Sequence, residues 1–229
     1  MTRFGISPAF VFSRYGTGFT VCDYCASLAA ARKLRFECFQ PEIYFPEALA
    51  SWAAGGAREV QTTAADLGLT ASQFVGHFLL ENFSTPERLA GRTDLDSLQR
   101  VIEVAKGFTG CRVLTVPMAP FRADSARPAT ARWYSDQRQR HGEKIRSYLA
   151  LANAAGLDLA LEILPFSLLG NFDGFLKLAS EIDSARLGVN LDTGHAWASR
   201  EIMELLPAKL AGRIFGLHLK DNNSDQNCE

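Results

Sequence analysis

The chain has 229 residues, of which 47% are hydrophobic and 21% charged, and its formal net charge at pH 7 is -1. This composition is typical of a globular protein. The balanced charge argues against a nucleic acid or a membrane surface as partner. The sequence has no apolar run near the roughly 20 residues of a membrane helix and no signal-peptide segment at its start. Because five cysteines is an odd count, a full disulfide framework is not expected either. We therefore expect a cytoplasmic protein.

Short apolar runs alternate along the chain with longer segments of helical periodicity. The predicted strands cover residues 3–7, 35–40, 72–78, 111–117, 157–163, 186–192 and 213–220. The clearest predicted helices lie near 140–155 and 171–182. Repeated β–α units without a linker predict one domain over 1–229 with a parallel sheet: a TIM (β/α)8-type barrel, here with seven units. A doubly wound sheet is the alternative, but "GISPAF" after the first strand is not a Gly-rich phosphate turn.

Polar side chains fall in one phase on the last three predicted strands. Glu162, Asp192 and His218 each occupy the face opposite the bulky residues of their strand, close to its C-terminal end. In barrel enzymes this end of the sheet carries the chemistry. Carboxylate oxygens and an imidazole nitrogen suit Mn²⁺, Mg²⁺, Co²⁺ or Zn²⁺. Separate local hydrogen bonds are the alternative, but burial of three such groups favours a shared divalent metal ion.

Four further residues are candidates for contact with a substrate. His195 follows Asp192 by three residues, and it could be a further ligand, a substrate contact or a helix cap. Lys220 shares the phase of His218, His77 ends the third predicted strand, and Glu37 lies on the second. If the strand phase holds, Glu37 and His77 face the mouth of the barrel, although ordinary hydrogen bonds at the rim are the alternative for each.

Three motifs in order, "LALEILP", "GVNLDTGHAW" and "RIFGLHLKDN", resemble the sugar-phosphate isomerase/epimerase superfamily with a xylose-isomerase-like barrel. The resemblance runs from the first strand to about residue 222. It implies that Glu162, Asp192 and His218 are metal ligands and that His195 contacts substrate or lies beside the metal. It also implies proton transfer at a carbon next to a carbonyl, with metal-bound glutamates as acid and base and Glu162 as one of them.

The chain departs from that pattern at its end. The superfamily's fourth ligand is a glutamate on an eighth strand, whereas here only "NSDQNCE" follows "HLKDN". Glu229 lies roughly ten residues after the seventh predicted strand, which leaves no room for a helix before it. From this we expect open edges on the first and seventh strands, weak metal binding and little epimerase activity from residues 1–229 alone.

The leading hypothesis is a metal-dependent isomerase or epimerase of a sugar, a sugar phosphate or a related keto or polyol compound. A dehydratase of an inositol-type ketone is close to it in mechanism. A metal-dependent phosphodiesterase like the DNA-repair endonuclease IV family is an alternative, but "TVPMAP" lacks the histidine expected there and the chain lacks a basic surface. An inactive barrel fragment or binding protein is another. The expected partner is a small sugar-like molecule, with a homo-oligomer as a further possibility.

Overall fold

The computed structural model describes residues 3–91, 95–123 and 129–221. Its strands alternate with helices along this whole length. The strands are β1 (Gly5–Ile6), β2 (Cys38–Phe39), β3 (Glu42–Ile43), β4 (Thr70–Ala71), β5 (Phe74–Gly76), β6 (Val113–Met118), β7 (Asp158–Ile163), β8 (Leu187–Asp192) and β9 (Ile214–His218).

All strand pairs are parallel, with the order β3-β5-β6-β7-β8-β9 in the larger sheet and β1-β2-β4 in the smaller. β2 falls within the predicted strand 35–40, whereas β3 lies just after it, beyond Pro41, which has no N–H to give to a neighbour. β5 falls within the third predicted strand, 72–78, whereas β4 lies just before it. The six-stranded sheet curls into a half-barrel, which confirms the predicted α/β barrel class.

Helices follow most strands and cover the outside of the sheet. They are α1 (Pro8–Tyr15), α2 (Val21–Lys33), α3 (Leu49–Ser51), α4 (Ala57–Asp66), α5 (Pro86–Ala90), α6 (Leu95–Lys106), α7 (Ala131–Ala154), α8 (Phe172–Ile182), α9 (Thr193–Ala198) and α10 (Leu206–Lys209). A π-helical turn, Trp52–Gly56, joins α3 to α4, and 3-10 segments lie at Pro46–Ala48, His77–Phe83 and Met203–Leu205. None of the described helices has the length and apolar character needed to cross a membrane.

Capping residues explain where several helices begin. The Asn171 side chain accepts a hydrogen bond from Gly174 N and starts α8 where the sequence predicts it. At α2, Thr20 and Asp23 form a reciprocal capping box. The helix faces that follow pack on the sheet through a continuous apolar core that includes Trp52 and Phe74, both essentially inaccessible to solvent.

β9, which corresponds to the seventh predicted strand, departs from the simple alternation of side chains between the two faces of the sheet. Val189 pairs with Ile214 and Asn190 with Gly216, so Phe215 is an extra residue at a bulge. Regular alternation predicts Ile214 in the phase of His218, but the bulge moves it to the phase of Val189. The bulge leaves Gly216 and His218 facing the sheet interior, so the prediction for the polar residue of this strand is unaffected.

Within the described residues, β1 and β9 each have a strand partner on one side only. A cavity of about 350 Å³ lies between them and is lined by residues of both edges, including Ile6 and Leu217. Leu217 is 51% exposed there. The first and last predicted strands thus lack a partner on one side within the described residues.

α7 buries two groups that ordinarily carry charge. Lys144 donates hydrogen bonds to the backbone carbonyl oxygens of Asn82 and Arg88. His141, one turn earlier, is buried against the Phe83 ring. Burial, together with the nearby positive charges of Arg138 and Lys144, lowers the pKa of His141 to about 3.

This pKa predicts a loss of stability in acid. The unfolded chain takes up a proton at His141 below about pH 6.5, whereas the folded chain does so only near its lowered pKa. Stability is therefore retained above pH 6.5 and falls as the pH drops, by roughly 3 kcal/mol at about pH 4 because each pH unit is worth about 1.4 kcal/mol. Urea unfolding above pH 6.5 and at about pH 4 should show this loss in the free energy of unfolding. His141→Leu should make the difference between the two conditions smaller. Equal losses in the two proteins would contradict the assignment.

Candidate metal centre and active site

The ends of three neighbouring strands bring together the residues for which the sequence predicts a metal site. Glu162 lies near the end of β7, and Asp192 and His218 are the last residues of β8 and β9. His218 Nδ1 lies 3.4 Å from Glu162 Oε1 and 3.7 Å from Asp192 Oδ2. Both carboxylates are buried. All three side chains thus face the interior of the sheet and not the helix layer.

His195 completes this group. It lies on α9, directly after β8, and its Nε2 is 3.6 Å from Glu162 Oε1 and 3.9 Å from Asp192 Oδ2. Asp192 Oδ1 accepts a hydrogen bond from His195 N and so caps α9, which leaves Oδ2 for the site. Glu162, Asp192 and His195 each offer one ligand atom within 4.8 Å of the others. We call Glu162, Asp192, His195 and His218 the strand-end cluster.

The two carboxylates of the strand-end cluster attract positive charge. Burial lowers the pKa of His218, but hydrogen bonds and attraction from Asp192 and Glu162 outweigh it and raise that pKa to about 10. Burial also raises the pKa of Asp192, yet His218, His195 and the helix cap together hold it below its usual value. The two carboxylates therefore favour positive charge at the place where a cation would be bound.

A chain of buried amides supports the strand-end cluster from below. Thr115 Oγ1 donates to Gln73 Oε1, and Gln73 Nε2 donates to Asn190 Oδ1 over 2.7 Å. Asn190 Nδ2 in turn donates to Glu162 Oε2 and lies 3.1 Å from His218 Nδ1. On the other side, Gln40 Oε1 lies 2.7 Å from His218 Nε2. We call Gln40, Gln73, Thr115 and Asn190 the amide network.

Sequence reasoning did not single out Asn190, Gln73 or Thr115 for the site. The signal was present, because an asparagine in the middle of the apolar run "GVNLD" shares the phase of Asp192. A buried amide of this kind needs partners on neighbouring strands. The identity of those partners depends on the register between strands, which a single sequence does not contain.

A second polar group lies on β3 and just after β5. His77 Nδ1 is 2.9 Å from Glu42 Oε1, and Glu42 is buried while the His77 side chain is 28% exposed. The ring of Tyr44 stacks on that of His77 with centroids 4.2 Å apart. Burial raises the pKa of Glu42, and His77 opposes this shift.

Two other predicted contact residues have different surroundings. Glu37 precedes β2 and is exposed at the N-terminal end of the strand, so the structure does not bring it to the mouth. The reason is phase: Glu37 alternates with Cys38 and Gln40, which face the interior, and shares the phase of the core residue Phe39. Lys220 is exposed beside the mouth, and its backbone N and O both contact Thr193 Oγ1 at 2.9 and 3.0 Å.

The donor set of the strand-end cluster fits a divalent cation. Two carboxylates and imidazole nitrogen are ligands that Zn²⁺ and Mn²⁺ accept. The amide network holds Glu162 and His218 from the side away from the mouth, as outer partners of metal ligands do. Glu229, the last glutamate of the chain, lies outside the described residues.

Solved structures show the same fold. A structure of IolI protein with a bound zinc atom aligns with a TM-score of 0.72 at 12% identity, covering 96% of this chain and 73% of that one. L-ribulose 3-epimerase gives 0.72 at 22% identity, with 96% and 70% covered. D-psicose 3-epimerase from Clostridium cellulolyticum H10, solved with D-tagatose, gives 0.70 at 18% identity, with 96% and 73% covered. No curated protein sequence matches the chain.

A family model described as the xylose isomerase-like TIM barrel matches residues 28–228. That range includes the strands carrying Glu42, Glu162, Asp192 and His218. The match agrees with the order of the three motifs and with the parallel half-barrel. The chain therefore belongs to the xylose isomerase-like TIM barrel family.

Proposed function

We propose that this protein is a metal-dependent isomerase or epimerase that moves a proton at a carbon next to the carbonyl of a small sugar, sugar phosphate or related polyol. The observation that carries the proposal is the convergence of Glu162, Asp192, His195 and His218 at the C-terminal ends of adjacent barrel strands. Structures of two sugar 3-epimerases share the fold, which supports this reaction class.

Glu162, Asp192 and His218 would hold the ion, with His195 as a further ligand or as a contact to a substrate hydroxyl. A divalent ion held there would supply Lewis-acid chemistry, which polarises a carbonyl oxygen and makes the neighbouring C–H more acidic. Glu162 would accept that proton on its free lone pairs, because Asn190 already orients the carboxylate through Oε2. His77 and Lys220 lie beside the same mouth and would bind hydroxyl or phosphate oxygens of the substrate.

Metal binding gives the first test. Titration of the metal-free chain with Mn²⁺ or Zn²⁺ by calorimetry should show one site, and Glu162→Gln, Asp192→Asn and His218→Asn should each weaken it. The loss should exceed the roughly 10–100-fold cost of removing an outer partner of a ligand. Glu37→Gln is the matched control, since this glutamate is exposed at the other end of its strand. Unchanged affinity in all three variants would refute the metal site.

Activity is tested separately with D-allulose and L-ribulose, followed by chromatography of the epimers. Glu162→Gln should lower the rate by about 10²–10⁴-fold, the usual cost of losing a positioned acid or base. Circular dichroism checks that each variant is folded. A wild-type protein that binds metal but converts neither ketose would contradict sugar epimerisation, and one that converts them without metal would contradict metal dependence.

Gly216 offers a test of the amide network that leaves every ligand in place. A Cβ at this position would approach Asn190 Oδ1 and would lie 2.5 Å from Gln73 Oε1. Gly216→Ala should therefore displace these amides, destabilise the fold by about 1–3 kcal/mol and weaken metal binding by roughly 10–100-fold. Gly18→Ala is the control, because nothing lies within 4 Å of its added methyl. Equal metal affinity in the two variants would show that the network does not orient the ligands.

A further inference from the structure

Glu42 and His77 form a carboxylate–imidazole pair that the metal ligands do not include. Glu42 Oε1 accepts from His77 Nδ1 at 2.9 Å, which fixes the ring and directs Nε2 away from the carboxylate. No hydrogen bond joins this Nε2 to the described part of the chain, and the side chain is 28% exposed. A histidine held in one tautomer by a buried carboxylate is arranged for proton transfer at its other nitrogen.

The strand register places His77 near the height of Glu162 and Glu42 two residues below it, because Glu42 pairs with Val75. Val75 pairs with Thr115, and two residues farther along β6, Pro117 pairs with Glu162. His77 is likewise two residues after Val75, directly after the end of β5, so it reaches the same layer of the mouth two strands away from β7. Glu42 also senses the charges of Glu162 and His218, since both affect its pKa. The pair and the strand-end cluster thus border one space.

Two observations indicate that a ligand is needed to complete the pair. Glu42 Oε2 is buried and has no hydrogen-bond partner in the described protein, which is a costly state for a carboxylate oxygen. Gln40 Nε2, which is also buried and lies two residues before Glu42, has no hydrogen-bond partner in the described protein either. One unpaired acceptor and one unpaired donor two residues apart in the chain match the hydroxyl groups of a polyol, which can both donate and accept.

The ring of His77 is also held from behind. Tyr44 stacks on it with an interplanar angle of 16°. The 3-10 segment His77–Phe83 is tied to α7, because Lys144 Nζ donates to Asn82 O and Asn82 Nδ2 donates to Tyr148 Oη. A group fixed in this manner retains its position when substrate enters, which a general acid requires.

We propose that His77, oriented by Glu42, is the second acid/base group of the reaction and acts on the face of the substrate carbon opposite Glu162. This inference rests on the proposed epimerase function. In one direction the C–H bond breaks, its proton passes to the Glu162 carboxylate, and its electron pair delocalises onto the carbonyl oxygen as an enolate. The protonated Nε2 of His77 then gives its proton to the other face of the carbon, so a new C–H bond forms and the C=O bond is restored. Solvent returns a proton to His77 and removes one from Glu162.

The test measures removal of the C3 proton separately from inversion of the configuration at C3. His77→Asn is compared with wild type on D-allulose and on its C3 epimer D-fructose in D₂O, with metal bound and with NMR of the C3 position. The variant should still exchange the C3 hydrogen of one epimer with solvent, because Glu162 remains, while interconversion falls about 10²–10⁴-fold. Glu42→Gln should likewise lower interconversion more than exchange of the C3 hydrogen. Glu37→Gln should leave both rates unchanged.

Three outcomes would overturn the inference. In the first, His77→Asn interconverts the epimers as fast as wild type does. In the second, exchange and interconversion fall together for both epimers, which makes His77 a binding residue only. The third outcome combines two results. The wild-type protein neither exchanges nor interconverts these ketoses, which refutes the epimerase proposal. In addition, D-allulose with Zn²⁺ leaves the ¹⁵N resonance of His77 Nε2 unshifted. If that resonance does shift while Nδ1 stays fixed, the pair is upheld as the group that meets substrate.

Discussion

Asn190 is the residue on which the interior of this sheet depends. Its amide is fully buried, and it joins Gln73 on one side to Glu162 and His218 on the other. An unpaired amide at this depth would cost several kcal/mol, so strands β5, β7, β8 and β9 must be in the one register that satisfies it. That same register aligns the carboxylates and imidazoles at the strand ends. The demands of the fold and those of the site are thus met by one set of hydrogen bonds.

The barrel class and the convergence of Glu162, Asp192 and His218 follow from strand phase alone. Period-two alternation is set by backbone geometry, and parallel strands place like ends together. These features require no knowledge of which residue faces which across the sheet. For this reason the apolar runs and the three motifs were enough to predict them.

The second strand position shows where such reasoning fails. A phase counted from Glu37 places that residue at the mouth, whereas the described strand turns Gln40 and Glu42 inward across Pro41. The alternation itself is regular there, since Cys38, Gln40 and Glu42 share one phase, and a single sequence does not show which of the two phases faces the interior. At the last strand, by contrast, the bulge at Phe215 adds a residue and shifts the phase of Ile214. The Glu42–His77 contact joins two strand positions, so neither strand alone predicts it.

Lys144 connects the outer helix layer to the mouth. Its ammonium group is buried in α7 and holds the carbonyl oxygens of Asn82 and Arg88, which follow His77 in the chain. An apolar residue of similar size at this position would leave those oxygens without this donor. In evolutionary terms, this lysine should therefore vary together with the histidine at the mouth among related chains, although it lies in the outer helix layer. A helix position on the outside of the barrel would then carry a record of the chemistry performed inside it.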